Sequence, residues 1–273
     1  MFQLLHKAMN SLRRDGLRKT LSRTQRWSFN RWPLSLVKER RFKAEVLALD
    51  QVEARFTAIY NKNTWGNDES ASGWGSTLAY TAPLRAKLPE LFQCYKVGTV
   101  FDAPCGDFNW FRHLLQQEKQ LSYIGGDIVA PMIERLNGQY GDSRIRFVHI
   151  DLIAQPFPKA DLMICRDCLF HLSFRDTRAV LANFVASGIP YLLTTTYAND
   201  DGQLQNRDIA TGDFRYIDLF SAPYGLPREV AFRVDDYQPP EPRREMCLWT
   251  REQVEQALRQ FNPGEGMPAG QRA

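Results

Sequence analysis

Four carboxylates and a histidine stand at spacings that could do chemistry: Asp102, Asp127, Asp151, Asp167 and His171. The first lies in Val100-Phe101-Asp102-Ala103-Pro104-Cys105-Gly106-Asp107-Phe108-Asn109-Trp110, where an apolar run ends in an acidic residue and turns through a Cys-Gly pair. A strand that ends this way and opens a helix sets backbone N–H groups and the helix N-terminus against a polar or anionic ligand. Asp127 closes the next apolar run, twenty-one residues after Gly106. A carboxylate there can accept hydrogen bonds from ribose hydroxyls, so the pair reads as a nucleoside site at the carboxyl ends of two adjacent strands.

The elements that must position these residues follow from hydropathy. Strands are expected near 97–103, 121–127, 145–150, 161–166 and 189–197, and helices near 107–118, 131–139 and 174–187. Short apolar strands alternating with helices require right-handed crossovers and a mostly parallel sheet covered on both faces. Phe42, Val46, Leu49, Val52, Phe56 and Ile59 share one helical face, predicting a single helix from about 36 to 60, and another is expected from Ser76 to about Lys87, ending before Pro89. Residues 198–245 form a long excursion with short strands expected near 214–218 and 230–234; ordered loops of this length commonly carry function. A strand Met246–Trp249 then meets Thr250, an N-cap with Gln253 three residues on, opening a helix Arg251–Gln260. The organisation read from this pattern is a basic helical extension over 1–60, an ordered loop and helix over 61–95 covering the site, and a core over 96–273.

Charge is unevenly divided. Residues 1–43 hold twelve Lys and Arg against two acidic residues, a net +10, whereas the remaining 230 residues carry −6. Such an arm suits an anionic membrane surface or RNA, or packs as a solvated helix on the acidic body. Leu5, Met9, Leu12, Leu17 and Leu21 make residues 2–24 a candidate amphipathic helix. No run approaches the ~18 apolar residues of a membrane span. Five cysteines spread over 273 residues argue against a secreted disulfide framework and for a reducing, cytoplasmic setting, with a membrane-peripheral placement through the basic arm as the alternative.

Residue types choose between nucleoside ligands. A dinucleotide needs G-x-G-x-x-G for its pyrophosphate, and here Phe108 and Phe111 fill the second and third glycine positions. S-adenosylmethionine carries no phosphate, so a less glycine-rich turn suffices, and Asp102 suits its methionyl ammonium. Over roughly residues 97–197 the chain resembles the class I S-adenosylmethionine-dependent methyltransferases, through Phe101–Gly106, Tyr123–Ile128, Phe147–Leu152 and Asp161–Asp167 in order. Its Asp107–Trp110 version, with Ser72-Gly73-Trp74-Gly75-Ser76 upstream, looks like an uncharacterised bacterial branch. The resemblance implies a Rossmann-like doubly wound α/β fold and S-adenosylmethionine as cofactor. It also implies Asp102, Cys105 and Gly106 around the methionine moiety, Asp127 at the ribose, Asp151 with Leu152 at the adenine, Arg166 and Asp167 beneath the transferring methyl, and Ile128 as a further cofactor contact. Pro104 and Phe108 depart from the glycines usual in the family.

Asp167 or His171 could serve as base for a hydroxyl acceptor, the alternative for His171 being to pack below the cofactor. Cys165-x-x-Cys168 lacks a second pair or nearby His to complete a tetrahedral set, so no metal is expected. Asp213, Arg215 and Tyr216 contact substrate or stabilise their loop. Trp65, Trp74, Trp110 and the excursion are expected to wall the acceptor pocket. The expected activity is O-methylation of a small or carbohydrate-like acceptor, because the excursion is rich in Asp, Asn, Arg and Tyr. The alternatives are RNA methylation through the basic arm, modification of a lipid-linked glycan at a membrane, and a non-catalytic binding module.

Overall fold

A computed structural model of the chain describes residues 32–261 except Pro240, with side chains from residue 39 onward. The basic stretch over 2–24 and the tail after Pro263 lie outside the described residues. Seven strands form one sheet: β1 (Thr99–Asp102), β2 (Ser122–Asp127), β3 (Ile145–His149), β4 (Leu162–Cys165), β5 (Tyr191–Tyr197), β6 (Phe232–Asp235) and β7 (Arg244–Thr250). Their spatial order is β3-β2-β1-β4-β5-β7-β6. The first five strands run parallel, and β7 lies antiparallel between β5 and β6. The order reverses at β1, and Asp102 is in register with Gly125 of β2 and Ile164 of β4. A crevice at that reversal, beyond the carboxyl ends of the strands, is where open α/β sheets hold ligands.

Period-two alternation divides the buried residues into two cores, one on each face of the sheet. Val100, Tyr123, Leu162, Ile164, Leu193, Met246 and Leu248 pack with Leu84, Leu88, Phe111, Leu114, Met132 and Leu136. These last come from α3 (Ala82–Cys94), α4 (Phe111–Gln117) and α5 (Ala130–Tyr140). Phe101, Ile124, Met163, Cys165, Leu192, Cys247 and Trp249 face the other way, against Val180, Leu181, Phe184, Val254 and Ala257. Those helical residues belong to α6 (Phe174–Ser187) and α7 (Arg251–Gln260). Thr250 and Gln253 form the expected capping box at the start of α7.

Three expectations change. The helix expected over 36–60 is two, α1 (Trp32–Leu47) and α2 (Val52–Asn61). Both halves keep one apolar phase, which periodicity cannot distinguish from a continuous helix, and Arg55 bridges the break by donating to the carbonyls of Leu49 and Thr211. The helix expected from Ser76 begins only at Ala82, with Pro83 in its first turn, and runs through Pro89 to Cys94. Pro89 leaves the carbonyl four residues earlier without its helical partner, but Leu84, Leu88, Leu91 and Phe92 are buried along one face and hold the helix together. No strand forms at 214–218; the buried Arg215 anchors that stretch instead, donating to the carbonyl of Leu172 and to the Tyr224 hydroxyl.

Candidate active site

The chain turns sharply after β1. Gly106 lies at φ +56° and Phe108 at φ +63°, the left-handed region that costs a side-chain-bearing residue roughly 1–2 kcal/mol. Phe108 tolerates it because its ring packs among Tyr123, Tyr140 and Phe147 with centroids 4.9–5.4 Å away, beneath the turn. The residue that departs from the family glycine thus keeps a glycine-like backbone and directs its bulk into the core. Asp107, at the crest, stitches the turn to the upstream loop: its carboxylate accepts from the Ser70 hydroxyl and the Ala71 N–H, while its own N–H donates to Ser72 Oγ. A Cβ on Gly106 would stand 2.3 Å from that Ser72 oxygen. Asn109 completes the seam, donating to Glu69 and to the Ser76 carbonyl.

Above this turn opens a cavity of about 1650 Å³, larger than the ~300–1,000 Å³ of an ordinary small-ligand pocket. Asp102, Cys105, Gly106, Asp127, Ile128, Asp151, Leu152, Arg166, Asp167 and His171 all line it, as do Trp65, Trp74 and Trp110. The excursion contributes Phe214, Gln238, Pro239 and Glu241. Seven carboxyl groups face the space, from Asp68, Glu69, Asp102, Asp127, Asp151, Asp167 and Glu241, against Arg166 as the one formal cation among the described lining residues.

Two of those carboxylates are held in unfavourable surroundings. Burial pushes Asp102 up to about 7, although the Tyr123 hydroxyl donates to it at 2.7 Å and Arg166 opposes the shift. Burial also raises Asp127 to about 6, against the N–H groups of Val129 and Gly106 that donate to its two oxygens. Buried carboxyls pushed up in this way gain most from a cationic or hydroxyl-bearing ligand. Asp151 is engaged more locally, accepting the Ile153 N–H at 2.8 Å.

Along one wall of the cavity lies a charge network that sequence reasoning only half found. Arg166 grips Asp236 through two hydrogen bonds of 2.8 and 3.1 Å and approaches Asp167 at 3.3 Å. Arg244 meets Asp167 at 3.0 Å and donates to the Asp236 carbonyl. Both guanidinium groups also stand over the Tyr80 ring. Burial disfavours charge on Asp167, but the two guanidinium groups outweigh it and keep this carboxyl below its usual range. The Gly75 backbone closes over the cluster, where a Cβ would stand 2.9 Å from the Asp167 carboxylate. Asp236 and Arg244 were missed; their only sequence signal is an Asp-Asp and an Arg-Arg pair flanking the Pro-rich run, which the β6–β7 pairing brings opposite one another.

His171 is differently placed. Its Nδ1 lies 2.7 Å from the Asp213 carbonyl; a carbonyl only accepts, so Nδ1 carries the proton and Nε2 the lone pair. Burial holds its pKa below the ordinary value, which keeps the ring neutral at neutral pH. The ring stacks on Trp65 at 4.8 Å. Of the three excursion candidates, Asp213 positions His171 through its backbone and Arg215 is buried in its own loop, whereas Tyr216 is exposed and packs edge-on against Tyr197 and Phe214. The Cys168 thiol is raised far above its usual value, first by its hydrogen bond with Cys165 and then by burial. Among the described residues no group of three or more His, Cys, Asp or Glu side chains is arranged to hold a metal ion.

Residues 101–187 match the family model described as a methyltransferase domain. Over this stretch the chain is similar to methyltransferase domains. A stretch of 111 residues is 29% identical to a curated protein described as an uncharacterized methyltransferase of Mycobacterium tuberculosis, covering 40% of this chain and 52% of the relative. The chain therefore spans about half the length of the curated relatives it matches. The domain's fold is shared with a 1,6-didemethyltoxoflavin-N1-methyltransferase of Burkholderia thailandensis, solved with S-adenosylhomocysteine, at TM-score 0.53 and 18% identity over 76% of this chain and 88% of the other. It is shared also with a magnesium protoporphyrin IX methyltransferase of Synechocystis, solved with S-adenosylmethionine, at TM-score 0.51 and 12% identity over 75% and 99%. Within the stretch that matches the model, the cavity lies at the carboxyl ends of β1, β2 and β4.

Proposed function

We propose that this chain transfers a methyl group from S-adenosylmethionine to a hydroxyl oxygen of a small acceptor, carbohydrate-like or otherwise. The observation that carries the reading is a cavity lined by seven carboxyl groups and one cation, with Asp102 and Asp127 buried at its floor. Such a lining suits a ligand bearing an ammonium and a sulfonium and disfavours an anionic one. The bound cofactor supplies an activated methyl whose leaving group departs neutral, so alignment matters more than acid catalysis.

The residues then take these roles. Asp102 faces the ammonium, Asp127 accepts from ribose hydroxyls, and Cys105, Gly106, Ile128, Asp151 and Leu152 shape the remaining cofactor wall. Arg166 and Asp167 form a charge-balanced floor with Asp236 and Arg244. Asp167 is a poor proton acceptor while two guanidinium groups hold it ionised and paired; His171, neutral and with Nε2 unprotonated, is the base. Residues 61–95 cover the cofactor, tied to the turn through Ser70, Ala71 and Ser72. Residues 198–245 serve the acceptor side through Phe214, Gln238, Pro239 and Glu241.

Calorimetric titration with S-adenosylmethionine tests this. Binding by the wild type, weakened at least tenfold in Asp127→Ala, is expected. No heat in the wild type overturns the proposal.

A further inference from the structure

Within the cavity, His171 stands in a continuous aromatic cluster. Its ring lies 4.8 Å from Trp65, 4.7 Å from Phe170 and 5.8 Å from Phe214, and Phe170 and Phe214 meet at 5.3 Å. All four residues line the cavity. Trp65 and Phe214 keep 38% and 37% of their surface exposed, so they present ring area that the fold itself does not cover.

The polar side chains of the excursion that pack behind this cluster are already engaged. The Asp213 carboxylate accepts the Phe214 N–H and pairs with Lys43. The Thr211 hydroxyl donates to Asp176, and Asn206 and Asp218 bond to each other's backbone or side chain. Arg215 turns inward to the Leu172 carbonyl and Tyr224. The Asp, Asn and Arg side chains that suggest a polyhydroxylated ligand in the bare sequence therefore build the excursion. Rings rather than polar side chains surround His171, so polyol hydroxyls packed against that part of the wall would be left unpaired, and unpaired hydroxyls are costly to bury. An anion would meet the surrounding carboxyl groups.

We infer that the acceptor is a neutral planar ring bearing the hydroxyl, a phenol-class molecule held against Trp65 and Phe214 with its oxygen at His171. The inference rests on the methyl-transfer reading. In the reaction the O–CH₃ bond forms as the S–CH₃ bond breaks, the electron pair of that bond stays on sulfur, and the phenolic proton passes to Nε2 of His171. The product is an aryl methyl ether.

The test uses the full chain saturated with S-adenosylhomocysteine and three probes followed by calorimetry: 2-naphthol, 6-hydroxynaphthalene-2-sulfonate and methyl β-glucoside. Naphthol is expected to bind, the sulfonate at least tenfold more weakly and the glucoside not measurably. Trp65→Leu and Phe214→Leu should each weaken naphthol about five- to tenfold, in line with the loss of one ring contact and its buried area, while the heat of S-adenosylhomocysteine binding is retained. With S-adenosylmethionine, mass spectrometry should find 2-methoxynaphthalene. Intact cofactor binding with no naphthol binding, or with glucoside bound as well as naphthol, overturns the phenol assignment alone. Absence of cofactor binding would instead remove the reading on which it rests.

Discussion

At the residue scale, the decisive difference lies between two groups that the sequence presents as equivalent bases. Asp167 faces two guanidinium groups, whereas His171 faces a carbonyl and an indole. Replacing His171 by Asn keeps an N–H donor for the Asp213 carbonyl and removes the basic nitrogen. The expected outcome is a fall in kcat of roughly 10²–10⁴ with cofactor binding unchanged, measured by turnover and calorimetry. Because burial lowers the His171 pKa, wild-type activity should rise with pH through a value below 6.5 and level off above it, as the ring loses its proton. Asp102 and Asp127 are shifted the other way, upward. Their raised values, about 7 and about 6, mean that part of their population is protonated near pH 6.5. A cation docking beside them favours the ionised forms, so cofactor binding should release protons at pH 6.5 and strengthen towards pH 8. Calorimetry in buffers of differing ionisation enthalpy measures that release.

At the element scale, the β1–α4 turn shows why a motif can lose a glycine and keep its shape. Alternation places Phe101 and Val100 on opposite cores and brings Asp102 to the strand end, all of which can be read from the sequence. The left-handed backbone of Phe108 cannot be read there, because its compensation comes from Tyr123, Tyr140 and Phe147 on other elements. Phe108→Gly relieves roughly 1–2 kcal/mol of backbone strain but removes a buried ring whose truncation costs about 3–5 kcal/mol. A net destabilisation of about 1–4 kcal/mol is expected from denaturant unfolding, with weaker cofactor binding as the turn loosens. The two-helix break at Ala48–Gln51 has the same character. Its phase is local, whereas the carbonyl of Thr211 that Arg55 reaches lies 156 residues away.

At the scale of the whole molecule, the network of Arg166, Asp167, Asp236 and Arg244 joins the end of β4 to the β6–β7 hairpin beneath the cavity. Its four formal charges cancel, and removing one partner leaves a buried guanidinium without its counter-ion. Asp236→Ala should therefore destabilise the fold by about 3–5 kcal/mol, measured by denaturant unfolding, and impair turnover in the fraction that stays folded. Ten of the residues singled out from the sequence meet in one cavity. They were legible because a parallel sheet delivers strand ends to one edge, and strand ends are marked by local signals: an apolar run, an acidic residue and a turn.

The sequence by itself determined the alternation of strands and helices, the two-faced burial of the sheet and the carboxylates at the ends of β1 and β2, since each depends on residues within a few positions of one another. Tertiary structure alone decided the partners of Arg166, the tautomer of His171, the inward role of Arg215 and the aromatic wall of Trp65 and Phe214. The Arg166–Asp236, His171–Asp213 and Arg215–Leu172 contacts join residues 70, 42 and 43 positions apart along the chain, where side-chain distance and burial follow from the fold and no local periodicity records them.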